Sequence, residues 1–431
     1  MRISHIFSGR NSGQDFMENY SVIIVIMAIM IGLSALADKI KIPYPVLLIA
    51  AGIGLGFIPS LPRTEINPEV IFLIFLPPLL YDAAFNLSFP TFKTNISTIS
   101  TLAISLVFMT AIGVAVAAYY LIPGMTWPLA FVLGSILSAT DAVAAMSITK
   151  GLGLSHSTNT ILEGESLVND ASALVAYRFA VAAVTGSSFV FWKASLEFVI
   201  LMAGGFLVGV IMARLLGFFL SRLHHNFMVT IGLMLLMPFV TYLVAEEVHV
   251  SGVIAVVMLG LMISRFSKTI FPEDLKMQSK AIWDIIIFLL NGLIFILIGL
   301  QFPYLLKSIH PEDILRFTLY AFIITLVALL LRIIYVFLQR RNLLKSFRGQ
   351  RRRITKDALL DFKSSIIISW SGMRGIVSLA IALGLPQELA DGSKFPFRDP
   401  LIFISVAVVI FTLVGQGLTL PWIVKKLQQT R

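Results

Sequence analysis

The sequence predicts an all-α polytopic membrane protein, and its composition carries that prediction. Hydrophobic residues make up 58% of the 431 positions and charged residues only 13%. The apolar residues are grouped in stretches of about 20, the length of a helix that spans the hydrocarbon core of a bilayer. The chain contains no cysteine, which excludes disulfides, thiolate metal sites and cysteine nucleophiles.

Polar residues and Pro/Gly breaks divide the apolar sequence into about thirteen predicted crossings. In chain order they are 20–37, 44–60, 69–87, 98–122, 127–149, 160–184, 195–220, 227–245, 249–264, 281–301, 314–338, 364–386 and 400–424. The predicted transmembrane domain, 20–424, follows a polar amino-terminal segment, 1–19, and precedes a tail, 425–431. Because 1–19 lacks an apolar middle, we expect the first crossing to direct membrane insertion.

Lysine and arginine are distributed unequally between the loops. The loops after odd-numbered crossings, with the tail, hold about 21 of them, and the amino terminus and the remaining loops hold about 8. Positive loops stay in the cytoplasm, so the amino terminus is predicted to lie outside and the carboxyl terminus inside. The net charge is +10, and the most basic loop, 339–363, is expected to lie beside anionic lipid; we expect no nucleic-acid partner.

The sixth crossing contains charged residues within an apolar run, in the sequence GESLVNDASALVAYR. On a helix, Glu165 lies one turn from Asn169 and Ser166 one turn from Asp170, so the four side chains share a face. A carboxylate at the bilayer centre costs roughly 3 kcal/mol, so it should face protein or a water-filled cavity. Such a polar stripe either binds a cation or is a buried structural cluster that holds helices together.

Two other crossings contain residues that should interrupt a helix. The fifth contains Ser138, Thr140 and Asp141 in an apolar pattern, and all three residue types are favoured at helix amino termini. The twelfth contains Arg374 between two glycines, in SGMRGIVSLA. Unwound backbone at mid-membrane exposes carbonyls to a cation, and Asp141 and Arg374 can offset the charges of half-helix ends. Because the two crossings run in opposite directions, they predict inverted repeats around a midplane site.

Two more ionisable residues lie inside predicted crossings and need partners. Arg332 is flanked by apolar residues in TLVALLLRIIYVF, so we predict an ion pair with Glu165. That pair would leave Asp170 as the free carboxylate. Asp82 follows a double proline in FLPPLLYDAAF, and we interpret it as a buried structural residue that caps a neighbouring element or pairs with Arg374.

Four motifs together resemble a known family. FLPPLLYDAAF, ATDAVA, GESLVNDA and SWSGMRGIVSLA, in this order, resemble signature blocks of the sodium/proton exchanger family, in its NhaP-type branch of cation/proton antiporters. The resemblance implies a core, with helices near 69–87, 98–184 and 314–424, in which two broken helices cross beside the site. It also implies a dimerisation part near 20–60 and 195–301, a homodimer, and elevator-like alternating access.

The resemblance also implies roles for single residues. Asp170 would bind the transported cation or the proton, beside Asn169, and Asp141 would lie at or next to the site. The family's usual proline after the Thr-Asp pair is Ala142 here. The implied cation ligands are Asp170, Ser166 and the backbone carbonyl of Thr140, and the implied structural charge pairs at the site involve Glu165, Arg332, Arg374 and Asp82.

The functional hypothesis is a secondary active antiporter of the cell membrane that exchanges Na⁺, or Li⁺, for H⁺ and contributes to pH homeostasis. It is not expected to be an enzyme or to need a cofactor. Electrogenic relatives have two adjacent aspartates where this chain has Asn169 and Asp170, which favours electroneutral exchange. A K⁺/H⁺ antiporter is the alternative. A passive channel is less favoured, because channels have repeated rings of pore-lining carbonyls or carboxylates and this chain has one predicted site. An intramembrane protease is less favoured because a second catalytic motif is missing.

Overall fold

The computed structural model describes residues 12–40, 44–58, 68–149, 152–186, 191–223, 226–348, 359–389 and 392–429. Within these ranges the chain is almost entirely helical. The helices are α1 Ser12–Ile40, α2 Tyr44–Gly56, α3 Pro68–Asn86, α4 Phe89–Leu121, α5 Trp127–Ile136, α6 Ala142–Thr149, α7 His156–Val184, α8 Phe191–Leu223, α9 Phe227–Glu247, α10 Gly252–Ile270, α11 Glu273–Ser308, α12 Pro311–Arg348, α13 Phe362–Trp370, α14 Ile376–Leu383 and α15 Arg398–Gln429.

The predicted class, an all-helical protein with many membrane spans, is confirmed. Among the described residues, 8 helices are long and apolar enough to cross a membrane by length and composition. Shorter apolar helical stretches lie at Ile24–Ala37 in α1, at Tyr44–Gly56, which is α2, at Leu73–Asn86 in α3 and at Trp127–Ile136, which is α5. Each predicted crossing coincides with a helix or a pair of helices. Three finer expectations stay predictions: the total of about thirteen crossings, the inverted repeats, and the division into core and dimerisation parts.

Several helices extend beyond the predicted crossings. Helix α12 continues to Arg348, so the predicted basic loop 339–363 begins as helix, and residues 349–358 of it lie outside the described residues. Residues 12–19 form the start of α1, and α15 extends into the predicted tail as far as Gln429. Intrahelical hydrogen bonds let a helix continue past the apolar stretch, so hydropathy marks the hydrocarbon depth and not the helix end.

The two predicted interruptions are present, and they meet. Helix α5 ends at Ile136 and α6 begins at Ala142, while α13 ends at Trp370 and α14 begins at Ile376. The backbone N–H of Asp141, in the first interruption, donates to the carbonyl of Met373, in the second, over 2.8 Å. The unwound stretches therefore satisfy part of each other's backbone, as a non-helical segment at membrane depth requires.

Two π-helical turns were not predicted. They lie within α4, at Thr101–Leu106, and within α15, at Thr412–Gln416. The second turn contacts the crossing, because the Thr412 hydroxyl accepts a hydrogen bond from the backbone N–H of Arg374 at 3.1 Å. In contrast, α3 runs as one helix through its double proline.

Helices α2 and α11 approach each other closely through glycines. A methyl group added at Gly52 would lie 2.9 Å from the Cα of Gly299, well inside van der Waals contact. Small residues at such interfaces let helix backbones pack directly, which is a main source of helix association in a bilayer. On the same helix, Gly54 has open space where its side chain would be.

We expect Gly52→Ala to force α2 and α11 apart and to destabilise the protein by about 2 kcal/mol, the usual effect of overpacking a tight contact. The measurement is the thermal unfolding midpoint of the purified protein in detergent. Gly54→Ala, the same change on the same helix with nothing within 4 Å, should leave the midpoint unchanged or slightly raised. Equal midpoints for the two variants would contradict the close packing.

Candidate functional site

The carboxylate of Asp141 lies at the amino ends of two half-helices. Its Oδ1 accepts a hydrogen bond from the N–H of Ala144 in α6 at 3.1 Å, and its Oδ2 accepts one from the N–H of Ile376 in α14 at 3.4 Å. A negative charge is stabilised at a helix amino end, and here it serves two ends at once. Gly375 adjoins this carboxylate so closely that a Cβ there would overlap it.

The guanidinium of Arg374 has the complementary position. It is buried, and its Nη1 donates to the carbonyls of Ser138 and Ala139, just beyond the end of α5, at 3.4 and 3.3 Å. The predicted alternative of an ion pair between Arg374 and Asp82 is not formed. Asp82 accepts a hydrogen bond from Asn86, one turn away on α3, at 2.9 Å, while Arg374 serves the carbonyls that the interruption leaves without helical donors.

The predicted ion pair between Glu165 and Arg332 is present. The two guanidinium nitrogens lie 2.5 and 2.9 Å from the two carboxylate oxygens, and the side chains are only 2% and 3% exposed. The remaining Arg332 nitrogen, Nε, donates to the carbonyl of Ile368 at 3.0 Å. Arg332 therefore neutralises the buried Glu165 carboxylate and engages both of its oxygens. Through these bonds and the bond to Ile368, Arg332 connects α12 to α7 and α13.

Ser166 and Asn169 attach α7 to the first interruption. The Ser166 hydroxyl donates to the carbonyl of Thr140 at 2.8 Å and accepts from the N–H of Ala142 at 3.3 Å. The Asn169 amide donates to the Thr140 hydroxyl at 2.5 Å. A proline at position 142 would have no N–H to give, so the alanine of this chain adds a hydrogen bond at the break.

Asp170 differs from the other carboxylates at the crossing. It is 7% exposed, and its Oδ1 is buried without a hydrogen-bond partner among the described residues. It lies on the wall of a cavity of about 970 Å³, which Ser166, Thr140 and Asp141 also line. The structure thus brings together at one cavity four of the residues that the sequence singled out, with Asn169 bonded to Thr140 behind them.

Other polar residues of the cavity wall were not predicted as site residues. They are Asn86 on α3, Ser147 and Thr149 on α6, Asn159 and Glu163 on α7, Lys280, Asp284 and Asn291 on α11, and Ser378 on α14. Asp82 on α3, which the sequence singled out as a structural residue, lines the cavity with them. Asn291 had a signal in the sequence, since it is an isolated amide within the apolar run FLLNGLIF. Neither the ion pair of Arg178 on α7 with Glu246 on α9, at 3.0 Å, nor the cavity itself was predicted from the sequence.

Comparison with known proteins identifies the family. The sequence model of the family described as sodium/hydrogen exchanger, transmembrane, matches residues 24–426. This chain belongs to that family. The predicted resemblance is confirmed, and with it the chain's place among membrane transporters and not among enzymes.

Individual relatives extend this assignment. The chain is 34% identical over 420 residues to a sodium, potassium, lithium and rubidium/H⁺ antiporter of Bacillus pumilus, covering 95% of this chain and 62% of that protein. It is 32% identical over 420 residues to the Na⁺/H⁺ antiporter ApNhaP of Aphanothece halophytica, covering 95% of this chain and 75% of the relative. It therefore spans less than two thirds of the Bacillus protein.

A solved structure shares the fold. The sodium proton antiporter MjNhaP1 of Methanocaldococcus jannaschii superposes with a TM-score of 0.72 at 18% sequence identity, covering 96% of this chain and 99% of that one. At this identity the comparison supports the fold of the chain.

We expect Arg332→Leu to destabilise the protein by about 3–5 kcal/mol, because it leaves the buried Glu165 carboxylate without its counter-charge. Thermal unfolding and gel filtration in detergent measure the effect. Arg178→Leu is the matched control, since its ion pair is 43% and 31% exposed and should be worth about 1 kcal/mol or less.

The double variant Glu165→Gln/Arg332→Leu should be more stable than Arg332→Leu, because it no longer buries an unpaired charge. A double variant no more stable than the single one would show that the loss comes from packing and not from charge.

Proposed function

We propose that this protein is a secondary active antiporter that exchanges a monovalent cation, sodium first and lithium second, for protons across the cell membrane. One observation carries the proposal: Asp170 presents a buried carboxylate oxygen without a hydrogen-bond partner, among the described residues, to a cavity at the crossing of two interrupted helices. Ionisable groups at such depth in a membrane protein are costly, and they are typical of ion pathways.

The partners of the three carboxylates at the crossing support a single exchanging group. Asp141 caps α6 and α14, and Glu165 is bonded to Arg332, so both carboxylates have structural roles at the interruptions. Asp170 is left to bind either a proton or a cation. Competition for one carboxylate couples the two fluxes, and one cation for one proton makes the exchange electroneutral.

The ligands available beside Asp170 suit a hard monovalent cation. The Ser166 hydroxyl and the Thr140 carbonyl are 2.8 Å apart and line the same cavity, and both supply oxygen atoms. Oxygen ligands are those that hard cations prefer. Water in a cavity of this size can complete the coordination shell.

The cavity also supports an inward-facing state of the site within an alternating-access cycle. Its lining includes Gly153 and Lys280, near helix ends that the distribution of lysine and arginine assigns to the cytoplasm. We infer that this conformation faces inward, with the amino terminus outside and the carboxyl terminus inside. Elevator-like movement of the core against the helices near 20–60 and 195–301, within a homodimer, would carry Asp170 to the other facing.

Potassium is the second candidate cation. The Bacillus pumilus relative is named for sodium, potassium, lithium and rubidium, and it matches 95% of this chain. Large and small alkali cations both accept oxygen ligands, so the same site is compatible with a broader substrate range.

The experiment is proton movement in sealed proteoliposomes with clamped membrane potential, after addition of sodium, lithium, potassium or rubidium. We expect cation-dependent proton flux in the wild-type protein and at least a hundredfold loss in Asp170→Asn, because an amide can neither release a proton nor offer a charge to the cation.

Asp274→Asn is the matched control, since it makes the same change at an exposed position in the first turn of α11, and it should retain wild-type flux. Flux that persists in Asp170→Asn would remove Asp170 from the mechanism, and proton-independent cation flux in the wild type would instead indicate a channel.

A further inference from the structure

We propose that Asn291 on α11 supplies an oxygen ligand to the transported cation, in addition to Asp170 on α7. The inference rests on the proposed function and deepens it, because it extends the cation site beyond the interrupted helices and α7 to a helix that the sequence analysis assigned to the dimerisation part.

The first observation concerns unsatisfied oxygen atoms. Several described residues contain a buried side-chain atom without a hydrogen-bond partner, but only two of them line the cavity: Asp170, through Oδ1, and Asn291, through Oδ1. Asn291 is 2% exposed. A buried polar atom that is left unsatisfied costs about 1–3 kcal/mol, so one that faces a cavity is expected to have a partner inside that cavity.

The second observation is depth. Asp170 lies near the middle of α7, which runs from His156 to Val184, and Asn291 lies near the middle of α11, which runs from Glu273 to Ser308. Both helices are long and apolar enough to cross a membrane. The two residues therefore occupy corresponding, central positions along their helices.

The third observation concerns the neighbours of the amide. Asn291 lies within reach of the hydroxyl of Tyr44, the first residue of α2, and Tyr44 lies within electrostatic range of Asp141. An amide N–H₂ can donate to a phenol oxygen, and the amide oxygen is the Asn291 atom that has no partner among the described residues. Tyr44 therefore connects Asn291 to the neighbourhood of Asp141.

The chemistry matches the cargo. An amide oxygen is a neutral ligand that hard cations accept, and it leaves the charge balance at Asp170 unchanged. A proton on Asp170 needs no such ligand, whereas a cation does. Asn291 should therefore affect the cation side of the competition and leave the proton side unaffected.

The test compares wild type, Asn291→Leu, Tyr44→Phe and Asp170→Asn in the proteoliposome assay over a range of sodium and lithium concentrations. Leucine keeps the branched shape and the number of side-chain heavy atoms of asparagine and removes the oxygen. We expect the half-saturating cation concentration to rise about tenfold in Asn291→Leu, with little change in maximal rate. The reason is that the cation loses one contact comparable in strength to a hydrogen bond to a charged group. Tyr44→Phe removes the phenol but keeps the amide oxygen, and should stay within about twofold of wild type.

A second readout does not depend on transport. Sodium that binds the folded protein raises its thermal midpoint in detergent, and Asn291→Leu should need about tenfold more sodium for the same rise. If Asn291→Leu does not give folded protein, Asn291→Ala is used in both measurements with the same expectation.

The outcomes separate the two proposals. Cation-driven exchange that is present in wild type and lost in Asp170→Asn, but has unchanged half-saturation in the Asn291 variant, overturns the ligand assignment and leaves the antiporter intact. Equal shifts in Asn291→Leu and Tyr44→Phe also overturn it, because they assign the effect to the contact between the two residues and not to the Asn291 oxygen. Absence of exchange in the wild type overturns the proposed function itself.

Discussion

The rest of this structure depends on one constraint: backbone that is not helical inside a membrane must find its partners within the protein. The chain meets it by crossing two interruptions. Asp141 in one accepts hydrogen bonds from the amino ends of α6 and α14, and Arg374 in the other donates to carbonyls beyond the end of α5. Each interruption thus supplies the charge that the other needs.

That arrangement explains why carboxylates close together can have different tasks. Asp141 is fixed by backbone N–H groups and Glu165 by a guanidinium, so both contribute to the frame of the site. Asp170, on the same helix as Glu165, presents an oxygen with no partner in the described chain. The difference lies in the surroundings, since the residue types are nearly the same, and it leaves one of the three carboxylates with an oxygen that has no partner among the described residues.

Much of this could be predicted from the sequence, because the cost of a buried charge restricts its partners. Arg332 in an apolar run needed a carboxylate, and Glu165 was available. The interruptions followed from the capping residues near Asp141 and the glycines around Arg374. Asp82 was harder: we predicted a neighbouring element or Arg374 as its partner, and it accepts a hydrogen bond from Asn86 on its own helix instead.

What could not be predicted depends on the packing of distant segments. A π turn adds one residue to a helical turn without a fixed sequence signal, so the contact of Thr412 with Arg374 was not foreseeable. The cavity exists only where α3, α7, α11 and α14 leave space between them. Asn291 was visible as a lone amide, but its meaning came from two facts of the fold: its oxygen has no described partner, and it faces the cavity that Asp170 lines.

The division of oxygen atoms between helices also bears on how a cation would leave the site. Ser166 and Asn169 on α7 are hydrogen-bonded to Thr140 in the adjoining interruption, and Asp170 lies on the same helix. Asn291 lies on α11, which packs through Gly299 against α2. Under the proposed ligand assignment, any displacement of α7 relative to α11 would remove one oxygen from the cation while the charged ligand stays with it. Such a site would bind the cation more weakly during movement without losing the carboxylate that is proposed to bind the proton.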